Sequence, residues 1–229
     1  CYNTAMINTT LPQSNTAPAC TALGSGVWLA FRHIAGTSAP AVPPPAAGAH
    51  LLSVEFCRRG RHALPAGDYC TIAADGHAAV SMTAAGADDY YPGAVYEGLQ
   101  FWIDPDAQTG SGFLALMGLD VHGIINYFCA SGPYYCPMGD DLAALVDELW
   151  REFDVSGYAS PGELRYAVVR LLYMLLQLPY ADQMAWYPRA QVDLVRDAET
   201  LMLADLSVRH TARELAVQFG VSESSFKAY

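Results

Sequence analysis

The chain has 229 residues, 52% of them hydrophobic, and a mean hydropathy of +0.15. That is enough apolar material for one large or two ordinary cores, and it excludes a disordered polypeptide. The net charge of −11, from 12 basic against 23 acidic residues, argues against an extended nucleic-acid-binding surface, since phosphate contact depends on cationic side chains.

From Gly26 to about Asp104 the pattern is that of short strands separated by turns. Val27, Leu29 and Phe31 alternate along the first strand, and Leu52, Val54 and Phe56 along the second. Pro40, Pro43, Pro44 and Pro45 between them read as an exposed connection. Further turns are expected at Ala66-Gly67-Asp68, Ala74-Asp75-Gly76 and Pro92-Gly93. A third alternating strand carries Leu99, Phe101 and Ile103, with Tyr96, Gln100 and Trp102 on its other face; Trp28 and Glu55 lie on comparable faces of their own strands. Aromatic and amide groups on one face suit a partly polar small molecule, so Trp28, Glu55, Tyr96, Gln100 and Trp102 are candidate effector-binding residues. The alternative is that these aromatics are plain core. Strands at this spacing fit a sandwich or small barrel. The clusters Asp88-Asp89-Tyr90-Tyr91 and Tyr134-Tyr135 read as loops, either of them able to line a pocket mouth.

After Pro137 the period becomes helical. Leu142, Leu145, Val146, Leu149 and Phe153 mark one amphipathic helix from Asp140 to Phe153. Ser160, Pro161 and Glu163 are the cap, first-turn proline and capping-box carboxylate of another. This second helix carries Leu164, Val168, Leu171, Leu172 and Leu175 and ends near Pro179. A further helix is expected from about Arg189 to Ser207.

The last nineteen residues are the most informative. Thr211 and Glu214 have capping-box spacing, Leu215, Ala216 and Phe219 share a face, Gly220 ends the helix, and Ser222 caps the next. This is a helix-turn-helix, whose second helix is the one that enters a major groove. Ser222, Glu223, Ser224, Ser225 and Lys227 are its candidate base or phosphate contacts, and Arg213 on the first helix a candidate phosphate contact.

With Thr211, Leu215, Ala216, Phe219, Gly220, Val221, Ser222, Lys227 and Tyr229 in place, this segment resembles the first helix-turn-helix of the AraC-type (AraC/XylS family) transcriptional regulators. Weaker resemblances lie in Glu163 to Leu172, Phe56 to Arg61 and Tyr91 to Gly98. The resemblance implies an α+β protein: a cupin-like β-barrel or jelly roll sensing an effector over residues 1–137, a helical linker over 138–188, and the DNA-binding domain from 189 to 229, cut within its recognition helix. It also implies a homodimer acting on promoter DNA, with Leu164, Val168, Leu171, Leu172 and Leu175 as candidate dimer contacts. Packing of these leucines on the chain's own barrel is the equal alternative.

From Gln191 onward Arg196, Arg209, Arg213 and Lys227 face six acidic residues, a net −2, so this chain alone is expected to bind DNA weakly or not at all. Cysteines at 1, 20, 57, 70, 129 and 136 make no CxxC pair or zinc spacing. The first 25 residues do not read as a secretory signal, and the most apolar helical stretch, broken by Arg170, is too short for a bilayer. A cytoplasmic protein without cofactor or membrane contact is expected. The histidines are scattered with no HxH, so no metal is expected, and no Gly-x-Ser-x-Gly elbow or phosphate loop occurs. The rival readings are a cupin-type small-molecule enzyme and a sensor or dimerisation module without DNA contact.

Overall fold

The structure, a computed structural model, describes residues 20–38, 50–84, 89–108, 110–156, 160–178 and 185–228. Eight antiparallel strands are present among them: β1 (Cys20–Gly24), β2 (Val27–Ala35), β3 (His50–Ala66), β4 (Tyr69–Ala74), β5 (His77–Ala84), β6 (Val95–Ile103), β7 (Tyr134–Pro137) and β8 (Tyr187–Pro188). The main sheet runs β1-β2-β6-β3-β5-β7, and the far half of β3 pairs with β4, which in turn pairs with β8. The mixed helix-and-strand class is as expected. Among the described residues pairing runs from β1 to β7 without returning, so their hydrogen bonds leave the sheet open instead of closing it into a barrel.

The two faces of the sheet differ because alternate side chains point opposite ways. One face is apolar at its centre: Leu29 and Phe31 of β2, Val54 and Phe56 of β3, Phe101 and Ile103 of β6. It is covered by α1 (Phe113–Leu116), α2 (Val121–Phe128), α3 (Gly139–Ser156) and α4 (Pro161–Leu175). The capping box at Ser160 is formed, with Pro161 in the first turn. Leu164, Val168, Leu171, Leu172 and Leu175, the candidate dimer contacts, are at most 6% exposed and belong to this one core. Their apolar surface is spent on the chain's own sheet, and α4 shows Tyr166 and Tyr173 outward instead.

Two local readings need correction. Tyr134 and Tyr135 lie in β7 and not in a loop. Asp89 to Tyr91 do lie in a connection outside the named strands, with Tyr90 and Tyr91 buried in it. The Pro40–Pro45 connection, Asp88 and Pro179 lie outside the described residues. Strand β3 is far longer than its Leu52–Val54–Phe56 alternation suggested, because that alternation is interrupted. The register with β6 passes from Cys57↔Gly98 to Arg59↔Glu97, so Arg58 is an extra, bulged residue. Its guanidinium lies over the Trp150 ring and pairs with Asp147 and Glu97, fastening the bulge to α3.

Gly60 follows at φ +94°, with its N–H donating to the Asp75 carboxylate. A Cβ there would stand 2.0 Å from the Val95 carbonyl oxygen. The bulge switches which face each later residue takes, so Ser53, Glu55 and Cys57 before it share a face with Gly60 and His62 after it.

The C-terminal helices are α5 (Arg189–Ala204), α6 (Ala212–Gln218) and α7 (Glu223–Ala228). Helix α5 is seated on the sheet: Val192 packs with Ala63, Cys70 and Tyr90, and the Arg189 N–H donates to the Asp68 carbonyl. It ends at Ala204, short of Ser207, where the Asp205 carboxylate accepts from the Ser207 N–H and hydroxyl.

Gly60→Ala is expected to destabilise the fold by on the order of 1–3 kcal/mol from backbone strain alone, and by more once the Val95 carbonyl has to move. Urea unfolding of the variant against the wild type measures this.

Candidate functional site

The second face of the main sheet is polar at its centre. Cross-strand register sets Trp28 beside Trp102 and Trp102 beside Ser53; one row on, Ala30, Gln100 and Glu55 are neighbours; then Arg32, Gly98 and Cys57. All five candidate effector residues therefore lie on one face, but in two groups. Trp28 and Trp102 pack with Ala30 and Leu51 in a small apolar cluster. Glu55, Gln100 and Tyr96 join a buried polar cluster whose other members are Arg32 and His62, which carry no local signal of a site, and Asp89 and Tyr91 of the loop cluster.

In the polar cluster Arg32 Nη1 donates to Gln100 Oε1 at 2.7 Å and to Asp89 Oδ2 at 3.1 Å. Gln100 in turn donates to Ser53 Oγ. His62 Nδ1 lies 2.7 Å from Glu55 Oε2, and its Nε2 lies 3.4 Å from Asp89 Oδ1, an ion-pair distance without a formed hydrogen bond. Tyr91 stacks on the His62 ring with centroids 4.7 Å apart and donates its hydroxyl proton to Asp89. The Tyr96 hydroxyl lies over Gly98, where a Cβ would come within 2.6 Å of it. Arg32, Glu55 and His62 are all at most 4% exposed.

Burial alone would push the His62 imidazolium towards its neutral form. The Glu55 and Asp89 carboxylates beside it outweigh that and carry its pKa from 6.5 up to about 10. Burial likewise favours the protonated Asp89, but the charge of His62 beside it, with the charge and hydrogen bond of Arg32, holds its carboxyl well below the usual range. The cluster is thus two cations against two carboxylates, and it is incompletely satisfied. Arg32 Nε and Nη2, Glu55 Oε1, His62 Nε2 and the Tyr96 hydroxyl are buried without a hydrogen-bond partner. Such an atom costs about 1–3 kcal/mol, so the cluster holds polar capacity that the protein itself does not use.

Two recesses lie elsewhere. A surface groove of about 290 Å³ is lined by Arg59, Gly60, Arg61, Asp75, Pro92, Gly93 and Val95. The other, of about 210 Å³, lies between α3 and α4. Neither is lined by the polar cluster. Among the described residues no group of three or more His, Cys, Asp or Glu side chains is arranged to hold a metal, and no helix is long and apolar enough to cross a membrane.

The helix-turn-helix forms as local chemistry dictates. The Thr211 hydroxyl accepts from the Glu214 N–H while Glu214 accepts from the Thr211 N–H. Gly220 has φ +68°, and the Val221 N–H returns to the Ala216 carbonyl to close the turn. Leu215 and Ala216 are buried. The Ser222 hydroxyl accepts from the Ser225 N–H and caps α7. Arg213, Ser222, Glu223, Ser224 and Lys227 are exposed and Ser225 is half-buried. Lys227 Nζ is 2.6 Å from Glu223 Oε1, so two of the candidate DNA contacts engage each other.

No protein-family model matches the chain, and no curated protein matches it. Among solved structures it is similar to the AraC-like transcriptional activator CuxR, at 14% identity over 90% of this chain and 70% of that one, with a TM-score of 0.44. It is also similar to ToxT from Vibrio cholerae O395, at 7% identity over 90% of this chain and 74% of that one, with a TM-score of 0.35. A second crystal form of ToxT gives 8% identity and a TM-score of 0.34. These are loose similarities.

The raised His62 pKa fixes the sign of a pH effect. The stabilisation from its charge is complete below the unfolded value of 6.5 and is lost as pH rises through about 10. Chemical denaturation between pH 6 and 10 is expected to show this decline in the wild type. His62→Gln should flatten it and should cost about 3–5 kcal/mol below pH 6.5, where it leaves Glu55 without its counter-charge.

Proposed function

We propose that this chain is an AraC-type transcription regulator in which α6 and α7 contact promoter DNA and the polar face of the sheet responds to a small-molecule effector. The observation that carries the reading is the capped helix–Gly220–helix unit, with Thr211, Leu215, Ala216, Phe219, Gly220, Val221, Ser222 and Lys227 at the positions the family's first helix-turn-helix uses. Formation of both caps and the closed turn at Gly220 supports it. Arg213 would fix the backbone register, while Ser222, Glu223, Ser224 and Ser225 lie where base edges would pass. Glu223 holds Lys227 as an i, i+4 partner, so DNA contact exchanges that pair for a lysine–phosphate one. Such a regulator works in the cytoplasm, where the buried thiols of Cys57, Cys70 and Cys136 stay reduced.

Fluorescence anisotropy of the complete parent protein on DNA from the gene's own upstream region, at two salt concentrations with nonspecific competitor, tests this. Tight, competitor-resistant binding is expected, and Lys227→Ala should weaken it on all sequences alike and lower the salt slope by about 1. Binding that competitor abolishes would leave the unit a structural hairpin.

A further inference from the structure

Residues 89–93 touch two places at once. Inward, Asp89 pairs with Arg32 and His62, and Tyr91 stacks on His62. Outward, the Tyr90 hydroxyl donates to Glu199 Oε2 at 2.9 Å, and the Gly93 N–H donates to Glu199 Oε1 at 2.8 Å. Glu199 belongs to α5, the helix that leads into the helix-turn-helix. Alternation along an extended segment makes this double attachment possible, because neighbouring side chains point opposite ways. The same short strap therefore covers the buried cluster with one set of side chains and holds α5 with the other.

What the strap inserts is a carboxylate, and the groups that receive it are only partly used. Arg32 engages Asp89 through Nη1 and keeps Nε and Nη2, the edge suited to a two-pronged carboxylate contact, without a partner. Glu55 Oε1, a buried acceptor on the same face, is also without a partner and would repel a plain anion. A molecule that satisfies both must present a carboxylate to Arg32 and a hydrogen-bond donor to Glu55.

We propose, building on the effector reading above, that the cluster is a site for a small hydroxy- or amino-carboxylic acid, that Asp89 is its built-in competitor, and that displacing Asp89 releases the strap's hold on α5. The incoming carboxylate takes Arg32 and His62, its hydroxyl or ammonium donates to Glu55, and Asp89 swings out towards the groove behind Gly60, Pro92 and Gly93. Tyr90 and Gly93, on the same five residues, then lose their register with Glu199. The relay is reciprocal, so loosening α5 from Glu199 must make the cluster easier to open.

The test uses the full chain with three probes: lactate, propionate, which lacks the hydroxyl, and propane-1,2-diol, which lacks the carboxylate. Binding is followed by tryptophan fluorescence from Trp28 and Trp102, and α5 by backbone hydrogen exchange over residues 189–204. Lactate is expected to bind more tightly than either analogue. Asp89→Asn, which removes the competitor's charge, should tighten lactate by about tenfold or more, because less free energy goes into opening the site. Lactate on the wild type, and Asp89→Asn without lactate, should both speed exchange in α5. Glu199→Gln lies outside the cluster; it should also tighten lactate and keeps the test open should Asp89→Asn fold poorly.

Unchanged lactate affinity in a folded Asp89→Asn or Glu199→Gln variant, or α5 exchange indifferent to both, overturns the proposal. Preference for the diol would leave an effector site standing and refute the acid. Failure of all three probes on the wild type and both variants would refute the acid and remove support for an effector at this face, while the DNA measurement would still stand alone.

Discussion

Two cations and two carboxylates share the polar face of the main sheet, and their mutual neutralisation is the condition for the sheet having two buried faces at all. Arg32, Glu55 and His62 are each shut away from water. Taking any one of them in alone would cost several kcal/mol. Together they offset one another, and Asp89 closes the set from the connection before β6. A hydrophobic cluster of the same volume would be at least as stable. The charges therefore act on arrangement more than on stability: they fix where residues 89–93 lie, since Asp89 is held between Arg32 and His62.

That arrangement depends on a single inserted residue. Without the bulge at Arg58, strand parity would send His62 to the apolar face with Leu52, Val54 and Phe56, and Glu55 would be buried with no cation beside it. The bulge needs Gly60 at a positive φ against the Val95 backbone, and it is held from outside by the Arg58 contacts to Trp150 and Asp147. The helical layer and the polar face are thus joined mechanically. The residue that makes the bulge is also the one that grips α3.

The same bulge marks the limit of what could be read from the sequence. Strict alternation placed Tyr96, Gln100 and Trp102 on one face, and the register agrees. It also placed Glu55 correctly, because Glu55 precedes the bulge. His62 was lost because period two fails across an inserted residue, and a glycine after two arginines is weak notice of one. Arg32 alternates with Phe31 on β2, but a lone arginine in a strand usually lies at the surface, so nothing local marks it as buried. Asp89 and Tyr91 could not be assigned because their burial comes from partners far away in the chain. Strands β4 and β5 are rich in alanine and threonine, and small residues blur the contrast that alternation needs. The helix-turn-helix, by contrast, was legible to the residue, because capping boxes and glycine turns are decided within four positions of each other.

That local character has a consequence for how the C-terminal helices stand in the molecule. Helix α6 has seven residues and α7 six, well below the roughly 12–15 at which an isolated helix becomes marginal in water. They hold through their caps, the Gly220 turn and the small core of Leu215 and Ala216, while Val217 stands 75% exposed beside them and Leu206 82% exposed before them. A unit stabilised so largely from within can change its position without unfolding. Helix α5, tied to the sheet by Val192 and Glu199, therefore sets where it points.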